Sequence, residues 1–204
     1  MKVPISIYLA VEDDLSEVIL RTILLHRDYD YVVEAVFKNG GFGYLKKQTQ
    51  AFNNLARAQP ILMLTDLDNH VCPPSLIENW LKNPQHRNFL FRVAVREVEA
   101  WILACEEELV GYLGIRQHIK CPTPESLVDP KADLLALASK SARRQIREAM
   151  TRRDSGGNLK QGPAYNSTLA EFVRYHWRID KAVDKCPSLQ RLMSSLSKLE
   201  KLRK

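Results

Sequence analysis

Apolar positions follow two rhythms along the 204-residue chain. ISIYLAV (5–11), YVVEAVF (31–37), PILMLT (60–65) and NFLFRVAV (88–95) are short, almost unbroken apolar runs, as expected of strands covered on both faces. Between them the spacing becomes helical. Leu15, Val18, Ile19, Thr22, Ile23 and His26 predict a helix over 15–27 that packs one apolar stripe onto a sheet. Asp14 is its natural N-cap and Glu17 falls at N3. A second helix passes through Leu45, Phe52 and Leu55 after the turn cluster Asn39-Gly-Gly-Phe-Gly. A short third helix is expected from Ser75 to Leu81 and a fourth from Glu97 to Leu113. The order βαβαβαβα with short connections implies parallel pairing through right-handed crossovers, hence an open α/β sheet with helices on both faces.

From about Cys121 the pattern changes. Pro122, Pro124 and Pro130 break up a connector, and residues 131–150, 165–180 and 188–203 then read as helices with no strand candidates. GGNLKQGP (156–163) is a Gly-rich, basic loop between them. The division expected is an α/β domain over 1–120 and a helical extension over 121–204 packed on it. Leu189, Leu192, Met193, Leu196 and Leu199 recur on one side of the last helix, and Leu169, Phe172, Val173 and Trp177 add further apolar anchors. This stripe either packs on the chain's own α/β core or, since the anchors are more than a small appendage needs, docks in part on an ATPase or on a second copy of the chain.

Composition adds exclusions. With 45% hydrophobic and 26% charged residues the chain is an ordinary globular one, and no apolar run approaches the ~20 residues of a membrane span. The start turns acidic at Glu12 without a leader-like pattern, so a cytoplasmic protein without membrane contact is expected. Cys72, Cys105, Cys121 and Cys186 form no C-x-x-C pair, which signals neither zinc nor a disulfide framework. Residues 1–102 carry 11 Lys/Arg and 12 Asp/Glu, residues 103–204 carry 19 and 12. The basic excess of the second half suits a polyanionic partner beside an acidic first half.

Ligands of open α/β sheets collect at the carboxyl ends of the strands. Three strand ends deliver acids there: Glu12-Asp13-Asp14 with Glu17 one turn on, Asp66-Leu67-Asp68, and Glu97 and Glu99. Clustered hard oxygens call for a cation such as Mg²⁺ or Mn²⁺. Helix capping is the alternative for Asp13, Asp14 and Glu17, a turn for Asp66 and Asp68, and complementing a helix dipole for Glu97 and Glu99. The five histidines share no ligand spacing; only His70 lies near the acids. Asn39-Gly-Gly-Phe-Gly is not a P-loop, because no Lys-Ser/Thr follows, although its glycines and Lys46-Lys47 would let a phosphate backbone approach.

A glutamate after the first strand and D-x-D after the third, in this α/β order, resemble the TOPRIM domain of topoisomerases, primases and nucleases of the overcoming-lysogenization-defect type. Usual TOPRIM sequences have Val-Glu-Gly where this chain has Val11-Glu12-Asp13. REVEAWILA (96–104), DPKADLL (129–135), GPAYNST (162–168) and CPSLQRL (186–192) resemble, over nearly the whole chain, a bacterial family of TOPRIM-like proteins of uncharacterised function. The resemblance implies a TOPRIM (Rossmann-like), mainly parallel sheet with a helical C-terminal extension, often encoded beside an ABC- or SMC-like ATPase in antiphage loci. By analogy it implies a Mg²⁺-dependent endonuclease acting on DNA, with RNA a possible substrate. Glu12, Asp66 and Asp68 are then the metal ligands, and Glu17 and one of Glu97 or Glu99 complete a second site. Lys131 serves catalysis, while Lys46, Lys47, Lys160 and the helical stripe Arg143, Arg144 and Arg147 contact the phosphate backbone. The alternative is a non-catalytic TOPRIM-fold module that docks on the ATPase. A homo-oligomer is compatible with either.

Overall fold

Each of the four apolar runs forms a strand in the computed structural model, which describes residues 4–27, 30–116 and 120–202. The elements of the first part are β1 (Ile5–Ala10), α1 (Asp14–Leu25), β2 (Tyr31–Phe37), α2 (Gly41–Leu55), β3 (Ile61–Asp66), α3 (Pro73–Trp80) and β4 (Phe89–Ala94). There follow α4 (Glu99–Leu103), α5 (Glu106–Leu113), a 3₁₀ turn (Pro124–Ser126), α6 (Pro130–Ala138) and α7 (Arg144–Met150). The last part holds β5 (Thr151–Arg153), β6 (Leu159–Gln161), α8 (Tyr165–Tyr175), α9 (Ile179–Lys185) and α10 (Pro187–Lys201). The chain packs as two compact units, residues 1–95 with 188–204, and residues 96–187. Among the described residues no helix is long and apolar enough to cross a membrane.

The first unit is an α/β layer built on a four-stranded, all-parallel sheet in the order β2-β1-β3-β4. Strand alternation sends Ala10, Ile61, Met63, Phe89, Phe91 and Val93 to one face, where they pack with Leu45 and Phe52 of α2 and Leu76 and Trp80 of α3. The alternate positions Ile7, Leu9, Leu62, Leu64 and Leu90 are buried as well, so both faces are covered, as a parallel sheet requires. Gly40 caps α2 at φ +100°, a left-handed conformation that glycine adopts without steric cost, so the Gly cluster opens a helix. The N-cap of α1 is Asp13, whose Oδ1 accepts from Ser16 N at 2.8 Å, and not Asp14 as expected; Glu17 thereby moves past N3.

α10 returns to this unit. Arg27 donates Nε and Nη2 to the buried Glu200 carboxylate at 2.9 and 2.7 Å, and Tyr31 Oη adds a third bond at 3.0 Å. Leu189, Leu192, Leu196 and Leu199 are all buried in the chain itself, so of the two expectations for this stripe it is packing on its own core that these residues show. Arg203 and Lys204, which end the expected helix and its basic run, lie outside the described residues.

The second unit is helical apart from one hairpin. The helix expected over 97–113 breaks at Cys105, where the ladder closes early with Cys105 N on Ile102 O at 3.1 Å. Trp101 is fully buried, and its carbonyl accepts from Trp177 Nε1 at 3.0 Å. The helix expected over 131–150 is likewise two, α6 and α7, and that over 165–180 becomes α8 and the start of α9. GGNLKQGP is not a loop throughout: its Leu159–Gln161 forms β6, antiparallel to β5. Asp154 Oδ1 makes the hairpin turn by accepting from Gly156 N and Asn158 N, both at 2.9 Å. Gly162 lies so close to the end of α7 that a Cβ there would sit 2.6 Å from Thr151 N.

Candidate functional site

In the order β2-β1-β3-β4 the chain reverses direction of winding between β1 and β3, so the crevice beyond their carboxyl ends is the ligand position of the sheet. β1 ends at Ala10 and β3 at Asp66, which brings Glu12 and Asp66 to that crevice. Glu12 Oε1 accepts from the Thr65 hydroxyl and from Asp66 N, the latter at 3.0 Å. Among the described residues no hydrogen bond reaches its Oε2. Burial pushes the Glu12 carboxyl up; the bonds from Thr65 and Asp66 N oppose this, while the charges of Asp68 and Asp13 push further upward.

The D-x-D segment alternates as its pattern requires. Leu67 is buried and bonds through its N–H to Ala94 O at 2.9 Å, while Asp66 is partly buried and Asp68 exposed. Asp68 has φ +47°, the one left-handed non-glycine conformation among the described residues. Aspartate tolerates this better than most residues, yet it is the kind of backbone outlier that clusters at functional turns. His70 N closes the turn onto Leu67 O at 3.0 Å, and the His70 ring stacks on Phe42 with centroids 5.7 Å apart. Glu17 is engaged otherwise. It receives Arg21 Nε at 2.8 Å and Lys38 Nζ at 2.8 Å, and Lys38 also binds Asp14. Although burial pushes its carboxyl up, these two cations hold it below the usual glutamate value.

Glu97, Glu99 and Lys131 gather in the second unit. Glu97 Oε2 accepts from Lys131 N at 3.0 Å. Glu99, only 2% exposed, accepts from Tyr165 Oη at 3.1 Å and has Lys131 Nζ at 3.5 Å from the same Oε1. Its Oε2 is buried and takes no hydrogen bond among the described residues. Burial raises the Glu99 carboxyl, Lys131 opposes and Glu97 adds to the rise.

The basic residues expected on nucleic acid are dispersed. Lys46 and Lys47 are exposed on α2, and Lys160 is exposed on β6. Arg143, Arg144 and Arg147 do not share a helical face. Arg143 is the N-cap of α7 in an extended conformation, Arg144 pairs with Glu148 at 2.8 Å, and Arg147 Nη1 donates to Ser141 O at 2.5 Å. The spacing is right, but the helix begins only after Arg143. Two further side chains belong to these sites without a signal in the sequence. Thr65 stands directly before Asp66, and Tyr165 lies inside GPAYNST; both are neutral donors, which carry no charge signal.

Hard carboxylate oxygens at Glu12, Asp66 and Asp68 fit a divalent cation of the Mg²⁺ type, and the buried, unpartnered Oε2 of Glu99 is a position where a cation or a proton would be welcome. No group of three or more His, Cys, Asp or Glu side chains among the described residues is disposed to hold a metal as it stands. Mg²⁺ asks for less, because it keeps several waters and is commonly held by one or two carboxylates together with substrate phosphates. Comparison with protein-family models, with curated proteins and with solved structures finds no match to this chain.

Proposed function

We propose that the chain is a Mg²⁺- or Mn²⁺-dependent nuclease of TOPRIM type that hydrolyses phosphodiester bonds in DNA. The observation that carries this reading is a partly buried carboxylate, Glu12, held at the switch point of a parallel sheet against the backbone of Asp66, with a second acid on a left-handed turn at Asp68. Withdrawing a carboxylate such as that of Glu12 from water is costly, and a cation would offset that cost.

A divalent ion bound by Glu12, Asp66 and Asp68 would supply positive charge to the phosphoryl oxygens and lower the pKa of a bound water. The chain's own part is orientation. Thr65 and Asp66 N fix Glu12 Oε1 and so aim Oε2, while the turn at Asp68 holds its carboxylate beside the same strand ends. The resemblance assigns Lys131 a catalytic role as a source of positive charge for phosphate; within its own unit its Nζ stands 3.5 Å from Glu99 Oε1. The composition, the resemblance of the four sequence blocks and the absence of a spanning helix among the described residues fit a cytoplasmic enzyme that works with an ABC- or SMC-like ATPase against phage.

The test is plasmid nicking under Mg²⁺ and Mn²⁺ titration, with RNA as the second substrate, by wild type, Asp66→Ala and Asp68→Ala, alone and with the neighbouring ATPase. Cleavage by wild type that both substitutions abolish is expected. Cleavage by either variant at the wild-type rate would remove the metal assignment, and a wild type silent in every arm would favour the non-catalytic module.

A further inference from the structure

We propose that the groove between edge strand β4 and α10 is a phosphate-backbone site, in which Arg87, Arg92, Arg191 and Lys198 receive a nucleic-acid strand. The nucleic-acid identity of the occupant rests on the nuclease reading; the cationic groove does not.

β4 pairs only with β3 and so forms an edge of the sheet. Phe89, Phe91 and Val93 face α2 and α3, which sends Leu90 and Arg92 to the opposite side. There α10 is tied to the strand end by Ser188 Oγ, which accepts from Val95 N at 3.4 Å. Two adjoining cavities of about 350 and 440 Å³ open along this seam, and both are lined by Arg92 and Arg191. Arg87 and Lys198 line the first. Among the described residues neither lining contains an aspartate or a glutamate.

The four cations have no hydrogen-bond or ion-pair partner among the described residues. Arg92 Nε is buried with its N–H unsatisfied. Burial, and then the charge of Arg191, hold the Arg92 guanidinium below its ordinary pKa. The same unit shows what an internally compensated arginine looks like: Arg27 is forked onto Glu200. Two guanidiniums acting on one another with no carboxylate between them leave the counter-charge to a ligand, and a planar N–H fork matches phosphate oxygens. Arg191 and Lys198 lie two helical turns apart, about 10 Å along α10, more than one phosphate group spans. A chain of phosphates therefore fits the groove better than a lone anion.

The experiment measures binding of a fluorescent 20-nucleotide single strand to the full chain in EDTA over a salt series, which separates binding from cleavage. Arg92→Met with Arg191→Gln should weaken binding at least about tenfold and flatten the log-log salt slope by about 1.4, at about 0.7 per lost phosphate contact on a single strand. Arg191→Glu with Lys198→Glu, both exposed positions, repeats the test without touching the buried guanidinium. Unchanged affinity and slope in these variants would overturn the site. So would inorganic phosphate bound through Arg92 and Arg191 without any oligonucleotide binding. Arg-dependent binding by a chain that never cleaves would leave this site standing and sink the nuclease reading, whereas Mg²⁺-dependent cleavage with unaltered binding in the variants would do the reverse.

Discussion

Glu12 in the sheet unit and Glu99 in the helical unit are both withdrawn from solvent, and burial raises both carboxyls. They differ in what answers the charge. Glu12 receives two neutral donors, and the charges acting on it are carboxylates. Glu99 has a tyrosine hydroxyl and an ammonium at 3.5 Å. Glu200 completes the series, because an arginine fork and a second tyrosine saturate it. A carboxylate that the fold supplies with its own cation is explained by structure alone. The one that the fold leaves among acids is where an outside cation is expected, and there the sheet topology places ligands.

Charge removal at each glutamate separates these cases, and the largest effect belongs to Glu12. Glu12→Gln keeps the shape and loses the charge, so cleavage should fall at least about 100-fold, with Mn²⁺ affinity reduced in calorimetry. Without metal its melting temperature should hold or rise, since like charges are relieved. Wild-type Mn²⁺ affinity in this variant would move the ligand role to Asp13 or Asp14 and erase the contrast with Glu99.

Glu200→Gln should act on stability instead. Breaking a largely buried pair by removing one partner's charge costs about 3 kcal/mol, roughly 6–12 °C for a chain of this size, because the Arg27 guanidinium loses the carboxylate it is forked onto. A melting temperature within a degree of wild type would show that the fork is ornamental.

Glu99→Gln should go the other way. Its native pKa lies above the ordinary 4.5, so between 4.5 and that raised value the native state binds more protons than the unfolded one, and wild-type stability falls as pH rises. The amide removes this slope. At pH 7 and without metal the variant should melt above wild type, an advantage that shrinks to nothing as pH falls toward 4.5. An advantage independent of pH would mean that packing, and not the buried charge, is the cause.

The strands and the acids at their ends are legible in the chain because a doubly covered parallel strand is an apolar run, and its end is the first place where a carboxylate can stand. Other features fail for physical reasons. Asp13 and Asp14 are equally good caps, and only the backbone geometry chooses between them. Three-residue strands such as β5 and β6 are too short to show alternation. An apolar stripe at three- and four-residue spacing looks the same whether it meets its own core or a partner, so the burial of Leu189, Leu192, Leu196 and Leu199 was not readable from periodicity. Thr65 and Tyr165 hold carboxylates with neutral hydroxyls, which nothing in charge or spacing singles out. Arg92 reads as a polar break in an apolar strand, and its role emerges only when α10 is seen opposite it.

The smallest effect is expected from Arg143, Arg144 and Arg147, and it sharpens a second contrast, between cations with and without an internal anion. Arg144 already pairs with Glu148 on the surface, and such pairs add little stability. To reach a phosphate it must leave that partner, and Arg147 must likewise release the Ser141 carbonyl. Their replacement by glutamine should therefore flatten the salt slope of single-strand binding by no more than about 0.7, the equivalent of one contact, where Arg92 and Arg191 together account for about twice that. Metal affinity should not move. A triple variant with the larger slope change would transfer the phosphate track from the β4 groove to α7, and would show that an exposed arginine gives up a carboxylate for DNA more readily than a half-buried one accepts a strand.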